Sequence, residues 1–318
     1  MRLVTIFIVL FIIQGCFSQN IQVIDSLENS PIPFATISFG DGLGTYANED
    51  GVFVFSKKRY KDIDTLYVSA VGFGVKTVAT NNIAPKVFLS PEVSVLSEVV
   101  VTAPILGKYK IKKEKAITHS DVFTSWLPTV ESEIAVFFER KGTKITQISK
   151  LLLPINAETK YKTKGKGAYA TICRIQFYKN ENGLPGAPMS HENIVFAIDE
   201  KQDKVFELDI SKKAIFIPKT GIYAAIQILG YANKDGKLAQ TKKYREIETK
   251  RGIQKISTAF RPLLPFTNKL QNKNTYVRRI FLNDKKWQVF DYTYNANSKL
   301  VKSGYKNYAM AAHFRVYN

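Results

Sequence analysis

Cysteine is nearly absent: the 318 residues hold two, Cys16 and Cys173. That excludes a disulfide framework and a Cys-rich zinc module, so stability has to come from apolar cores. Histidine is almost as scarce, with His119, His191 and His313 far apart in the chain. A zinc hydrolase needs two His and a carboxylate at fixed spacing around an open metal position. Neither His-x-x-Glu nor His-Glu-x-x-His is present; His191-Glu192 begins the second pattern and goes no further. Gly-x-Ser-x-Gly is missing too, which removes the commonest nucleophile elbow. The run Gly40-Asp-Gly-Leu-Gly44 lacks the Lys-Ser/Thr ending of a phosphate loop and reads as a turn. Apart from Thr5, residues 3–13 form an unbroken apolar run, too short to cross a bilayer, which takes about 20 residues.

That run has a different use. Arg2 precedes it, and Cys16 and Ser18 supply small residues at the −3 and −1 positions of a cleavage site after Ser18. Residues 1–19 are therefore expected to be an export signal. The alternative is a lipoprotein anchored at Cys16, since Ile13-Gln-Gly-Cys16 loosely fits a lipobox. Cys173 lies in an alternating run with Ile172, Arg174, Ile175 and Phe177 and reads as a small buried hydrophobe.

Charge is abundant and unevenly spread. The formal net charge is +19. Residues 20–100 hold 6 Lys/Arg against 9 Asp/Glu, whereas residues 101–318 hold 39 against 18. The basic character belongs to the second part, which argues for a boundary near residue 103. Hydrophobic residues make up 45%, enough for a sizeable core in each part.

The pattern along the chain is β throughout. Residues 31–39 read Pro-Ile-Pro-Phe-Ala-Thr-Ile-Ser-Phe, followed by Gly44-Thr-Tyr-Ala-Asn-Glu-Asp-Gly51 and Val52-Phe-Val-Phe55. Val68-Ser-Ala-Val-Gly-Phe73 and Leu96-Ser-Glu-Val-Val-Val-Thr-Ala103 complete the stretch. Short Val-, Phe- and Thr-rich runs split by Gly, Asn and Asp are the mark of a small antiparallel sandwich. Asn48-Glu-Asp-Gly51 is expected to be a turn of the kind that joins hairpin strands. Residues 104–128, with Lys108, Lys110, Lys112, Lys113 and Lys115 around Glu114, read as a basic linker. In residues 129–318, strands are expected near 134–138, 143–153, 170–178, 193–198, 205–210, 214–217, 222–229, 255–260, 277–282, 287–292 and 308–317. Ile222, Ala224, Ile226 and Ile228 share one face of their strand.

The motifs of residues 31–103 resemble the carboxypeptidase-regulatory-like domain, a transthyretin-like fold, in the form found in Bacteroidetes cell-envelope proteins. The resemblance implies a non-catalytic module in an envelope compartment. The second part is similar, more loosely, to sandwiches that follow this domain in some of those proteins, through Arg174-Ile-Gln-Phe-Tyr178, Gly183-Leu-Pro-Gly186 and Phe206-Glu-Leu-Asp-Ile-Ser211. The expected fold is all-β. A small N-terminal seven-stranded Greek-key sandwich (residues 20–103) and the basic linker (104–128) precede a larger jelly-roll-like β-sandwich (129–318).

The expected function is binding or scaffolding in the periplasm or at an outer membrane, with no catalytic residue, metal or cofactor. The partners are an envelope or outer-membrane protein and an anionic lipid or polysaccharide surface. An export signal argues against nucleic acid as a partner. The candidate anionic-surface patch is Lys160, Lys162, Lys164, Lys166, Lys242, Lys243 and Arg245, interleaved with Tyr161, Tyr169 and Tyr244. Solvated lysine faces are the plainer reading of the same residues. The rival function is carbohydrate binding by the second sandwich, with Trp287, Tyr292 and Tyr294 as stacking platforms. Glu98, Val99, Val100, Val101 and Thr102 have two readings: a strand that closes the first sandwich, or a strand that pairs with a partner. Deletion of residues 98–103 separates them. Loss of the first domain's unfolding transition is expected for a closing strand; a retained transition with a lost contact is expected for a partner strand.

Overall fold

The computed structural model describes residues 19–92, 107–158, 169–189, 192–202, 204–240, 244–250, 252–270, 275–282 and 284–318. The chain divides into two compact units, Met1–Glu92 and Val93–Asn318.

Among the described residues, the first unit has seven strands in two sheets. They are β1 Gln19–Asp25, β2 Thr36–Ser38, β3 Gly44–Tyr46, β4 Val52–Phe55, β5 Thr65–Ser69, β6 Lys76–Ala79 and β7 Lys86–Leu89. One sheet has the order β4-β1-β7 and the other β3-β2-β5-β6. Period-two burial selects the core: Phe53 and Phe55 from β4, Leu66 and Val68 from β5, Val87 and Leu89 from β7. Each such side chain contributes about 1.5–3 kcal/mol when fully buried.

Two details differ from expectation. β1 and β7 pair in parallel, Val23 opposite Val87. These strands are far apart in sequence, so the long return lets the chain re-enter in the same direction, which a tight turn forbids. The Asn48–Gly51 segment is a turn but joins no hairpin: β3 pairs with β2, and β4 with β1. Asn48 makes the turn, its Oδ1 accepting from Asp50 N (3.1 Å) and Val52 N (2.8 Å). Gly51 has φ +70°, and a Cβ there would meet Val23 O at 2.9 Å and Ile32 N at 3.1 Å. The chain crosses between sheets where only glycine fits.

The second unit contains β8 Tyr109–Lys113, β9 Ser125–Trp126, β10 Ser132–Phe138, β11 Thr146–Pro154, β12 Ala170–Glu181 and β13 Leu184–Pro188. It continues with β14 Ile194–Asp199, β15 Val205–Asp209, β16 Ile222–Tyr231, β17 Tyr244–Thr249, β18 Gly252–Ser257 and β19 Leu264–Thr267. β20 Thr275–Arg279, β21 Gln288–Val289, the short helix α1 Lys299–Lys302, β22 Asn307–Tyr308 and β23 Ala311–Tyr317 complete it. A seven-stranded sheet runs β13-β12-β16-β10-β20-β21, with β14 also on β12. A four-stranded sheet runs β15-β11-β23-β8. Smaller sheets are β22-β19-β9 and the ribbon β17-β18.

The main core holds alternate residues of the two large sheets: Ile134, Val136 and Phe138; Ile175 and Phe177; Ile222, Ala224 and Ile226; Ile148, Leu151 and Leu153; Ala312 and Phe314. α1, capped by Ser298 Oγ accepting from Val301 N, adds Leu300 and Val301 to it.

Segment 104–128 is not simply a linker. Residues 109–113 form β8, hydrogen-bonded along β23, and Ser125 and Trp126 pair with β19. A lysine-rich strand at a sheet edge needs one neighbouring backbone and no buried face of its own, so its composition imitates a linker. Residues 214–217, expected as a strand, make only an isolated bridge from Phe216 to Gln147.

Gly51→Ala is expected to cost more than about 1 kcal/mol, from the left-handed backbone and the contact with the β1 carbonyl. Gly74→Ala, whose added Cβ comes no closer than 3.8 Å to Ser90 O, is the near-neutral control. Denaturant unfolding of both variants checks the difference.

Candidate binding face

The side of the seven-stranded sheet turned away from the main core is neither bare nor apolar. Strand alternation sends Glu133, Ala135 and Phe137 there from β10, and Arg174, Gln176 and Tyr178 from β12. β16 adds Tyr223, Ala225 and Gln227, and β20 adds Tyr276 and Arg278. Register then aligns one polar row: Arg174 opposite Gln227, Gln227 opposite Glu133, Glu133 opposite Arg278. Glu133 and Gln227 are each 2% exposed, and Arg174 8%.

The row is closely bonded. Arg174 donates to Gln227 Oε1 from Nε (2.9 Å) and Nη2 (2.6 Å), and from Nη1 to Asn193 Oδ1 at 3.2 Å. Arg278 Nε donates to Glu133 Oε2 at 2.7 Å, and its Nη2 to the Tyr178 hydroxyl at 2.7 Å. That hydroxyl donates to Glu133 Oε1 at 2.8 Å. Tyr178 packs with Ala135 and Ala225, whose small side chains leave room for its ring to reach Glu133.

Trp287, just before β21, packs onto this layer. The Arg278 guanidinium lies 4.5 Å from the Trp287 ring centroid and 5.0 Å from that of Tyr178. The two rings meet edge to face at 5.5 Å. A guanidinium packed against two touching aromatic rings keeps a cation where water is scarce. Burial first, then the Glu133 charge, pushes the Tyr178 hydroxyl well above its ordinary range, so it stays a donor. Burial first, then Arg278, pulls Lys285 down, against the pull of Glu133.

Chemically, the layer is held by charge-assisted bonds, with Trp287 Nε1 buried and without a hydrogen-bond partner among the described residues. It packs against Trp287 and holds Glu133 with two donors, Arg278 and Tyr178.

Of the residues expected to carry function, Arg245 lies on the ribbon, exposed and opposite Ile256. Lys160, Lys162, Lys164, Lys166, Lys242 and Lys243 lie outside the described residues, as do Glu98, Val99, Val100, Val101 and Thr102. So does the segment expected to be an export signal, Cys16 included, except for Gln19, which begins β1. The three proposed stacking aromatics do not form one platform. Trp287 faces Arg278 and Tyr178, and Tyr294 packs on Phe290 beside the main core. Tyr292 is 51% exposed, with Lys306 Nζ 5.1 Å from its ring. Apolar burial claims Tyr294, and the Arg278 cation claims one contact of Trp287.

Cys173 is fully buried, its thiol pushed up by burial alone. His119 Nε2 lies 2.7 Å from Phe266 O, and His313 sits on the four-stranded sheet. Among the described residues, no group of three or more His, Cys, Asp or Glu could hold a metal ion. Sequence reading missed the Glu133–Tyr178–Arg278 triad because its members lie on three separate strands; the alternation of β10, β12 and β20 was the only signal.

Residues 22–101 match the family model described as the CarboxypepD_reg-like domain. No curated protein matches the chain. Among solved structures, it is similar to the cysteine protease and lectin-like domains of Cwp84, a surface layer associated protein of Clostridium difficile. The identity is 12% and the TM-score 0.31, over 59% of this chain and 32% of that one. The chain thus spans about a third of the length of that structure.

Glu133→Ala leaves Arg278 without its carboxylate in a mostly buried site, and a loss of about 3–5 kcal/mol is expected. Joint replacement, Glu133→Leu with Arg278→Met, is expected to recover most of that loss. A double-mutant cycle in denaturant measures both.

Proposed function

We propose, for a chain that carries a CarboxypepD_reg-like domain over residues 22–101, that the protein is a non-enzymatic binding or scaffolding component of the cell envelope. The domain match carries this reading. The charge contrast supports it: 6 Lys/Arg against 9 Asp/Glu in residues 20–100, and 39 against 18 in residues 101–318. In the proposed arrangement, the first unit meets a protein partner and the basic second unit meets an anionic surface, such as lipid headgroups or acidic polysaccharide. The site of action is the periplasm or the inner side of an outer membrane, after cleavage behind Ser18; a lipid anchor at Cys16 is the alternative attachment. The closed hydrogen-bonding of Glu133 and the inert, buried Cys173 favour recognition over chemistry for the second unit.

A second reading, carbohydrate binding by the second unit, has one observation in its favour. Tyr292 presents a half-exposed ring beside the Lys306 ammonium.

Copurification of the tagged protein from native envelope is expected to bring down an outer-membrane or periplasmic assembly. A clean monomer in the soluble fraction would count against the scaffold reading. On a glycan array, the carbohydrate reading predicts binding that Tyr292→Ala removes without a change in melting temperature. Binding that survives Tyr292→Ala, or none at all, would remove that reading.

A further inference from the structure

The four-stranded sheet ends at β8, whose five residues are all exposed. Glu114 N donates to Ala312 O at 3.0 Å, and Asn318 N to Lys108 O at 3.1 Å. In an antiparallel pair, hydrogen-bonded residues alternate with non-bonded ones. Lys108, Lys110, Lys112 and Glu114 therefore turn their backbone groups toward β23. Tyr109, Ile111 and Lys113 turn theirs the other way, where no strand among the described residues pairs with β8.

The side chains of this edge are ordered by the same register. Lys110 and Lys112 lie opposite Val316 and Phe314, on the core side of the sheet. Tyr109 and Ile111 lie opposite Tyr317 and Arg315, on the outer side. Tyr109 is held there, 5.6 Å from the Tyr317 ring with the Arg315 guanidinium at 5.0 Å. Ile111 is 61% exposed. Residues 108–115 carry five lysines and one acid, and that acid, Glu114, is paired with Lys141 at 3.2 Å.

We propose that β8 accepts an added strand from a partner protein, acidic where it faces Lys110 and Lys112 and apolar where it faces Tyr109 and Ile111. The inference rests on the reading of the protein as a binding component and adds to it a protein-binding edge on the second unit, where the anionic surface is an acidic strand. Three backbone positions with no partner among the described residues supply affinity that ignores sequence; the lysines supply the choice of partner. Lysines on an edge repel most strands, and so keep the edge open until an acidic one arrives. A second copy of this chain does not fit. β8 against β8 sets lysine against lysine. The sheet's other edge, β15, offers Phe206 and Leu208 on the core side, where β8 offers Lys110 and Lys112.

The test uses the full chain and two short capped peptides, one alternating Glu and Val, the other Lys and Val, in fluorescence anisotropy. The Glu–Val peptide is expected to bind, more weakly as salt rises, and the Lys–Val peptide is not. Ile111→Pro removes an outward N–H and is expected to abolish binding with an unchanged melting temperature. Lys112→Pro removes the N–H that faces Phe314 and is expected to lower that temperature. The joint variant Lys110→Glu with Lys112→Glu is expected to weaken Glu–Val binding by about tenfold and to admit Lys–Val. Equal binding of the two peptides, binding unaffected by Ile111→Pro, or no binding of either overturns the proposal. If a partner is still recovered from native envelope while the peptides fail, strand addition is wrong and the binding reading stands. If both fail, both are wrong.

Discussion

Strand β16 is buried on both faces from Ile222 to Gly230, and the second unit is arranged around that fact. A strand with no exposed face must have every backbone group paired by neighbours. β10 and β12 provide this along nearly its whole length. Its two sets of side chains also need two different partners. One set, Ile222, Ala224 and Ile226, meets the four-stranded sheet through the main core. The other, Tyr223, Ala225 and Gln227, needs a cover of its own. The layer of Tyr178, Arg278 and Trp287 is the answer to that need.

The choice of polar groups for this second layer has a physical cost and a return. Glu133 and Arg278 lose solvation, which hydrogen bonds and the aromatic rings offset in part. In exchange, the bonding geometry admits one register. A slip of one residue would turn Glu133 into the apolar core and Ile134 into the polar row. The first unit solves a similar problem more simply. Its strands are short, β4, β5 and β7 alternate cleanly, and one apolar core suffices.

Alternation made β10, β12 and β16 legible in the sequence, because even the doubly buried β16 changes chemistry from one face to the other. The turn at Asn48–Gly51 was legible as a turn, since Asn and Gly carry its geometry locally. Which sheets it joins was not, because that depends on β1 and β2, fixed by contacts distant in sequence. β8 was hidden because its pairing is made by the backbone while its side chains stay in water. The candidate face was half visible: Trp287 could be singled out, but Glu133 and Tyr178, 45 positions apart, give no local sign of their bond.

The pairing of Tyr109 with Tyr317 and of Lys113 with His313 also bears on how the unit comes to exist in time. β23 lies between β8 and β11, so it joins the earliest described strand of the unit to the rest of its sheet. A chain emerging from synthesis holds β8, and the edge of β11 that β23 will cover, unmatched until β23 follows. Closure of the sheet is therefore a late event of high contact order, slow by nature. Through that interval, the lysines of β8 serve the nascent chain as a deterrent to premature pairing with its neighbours.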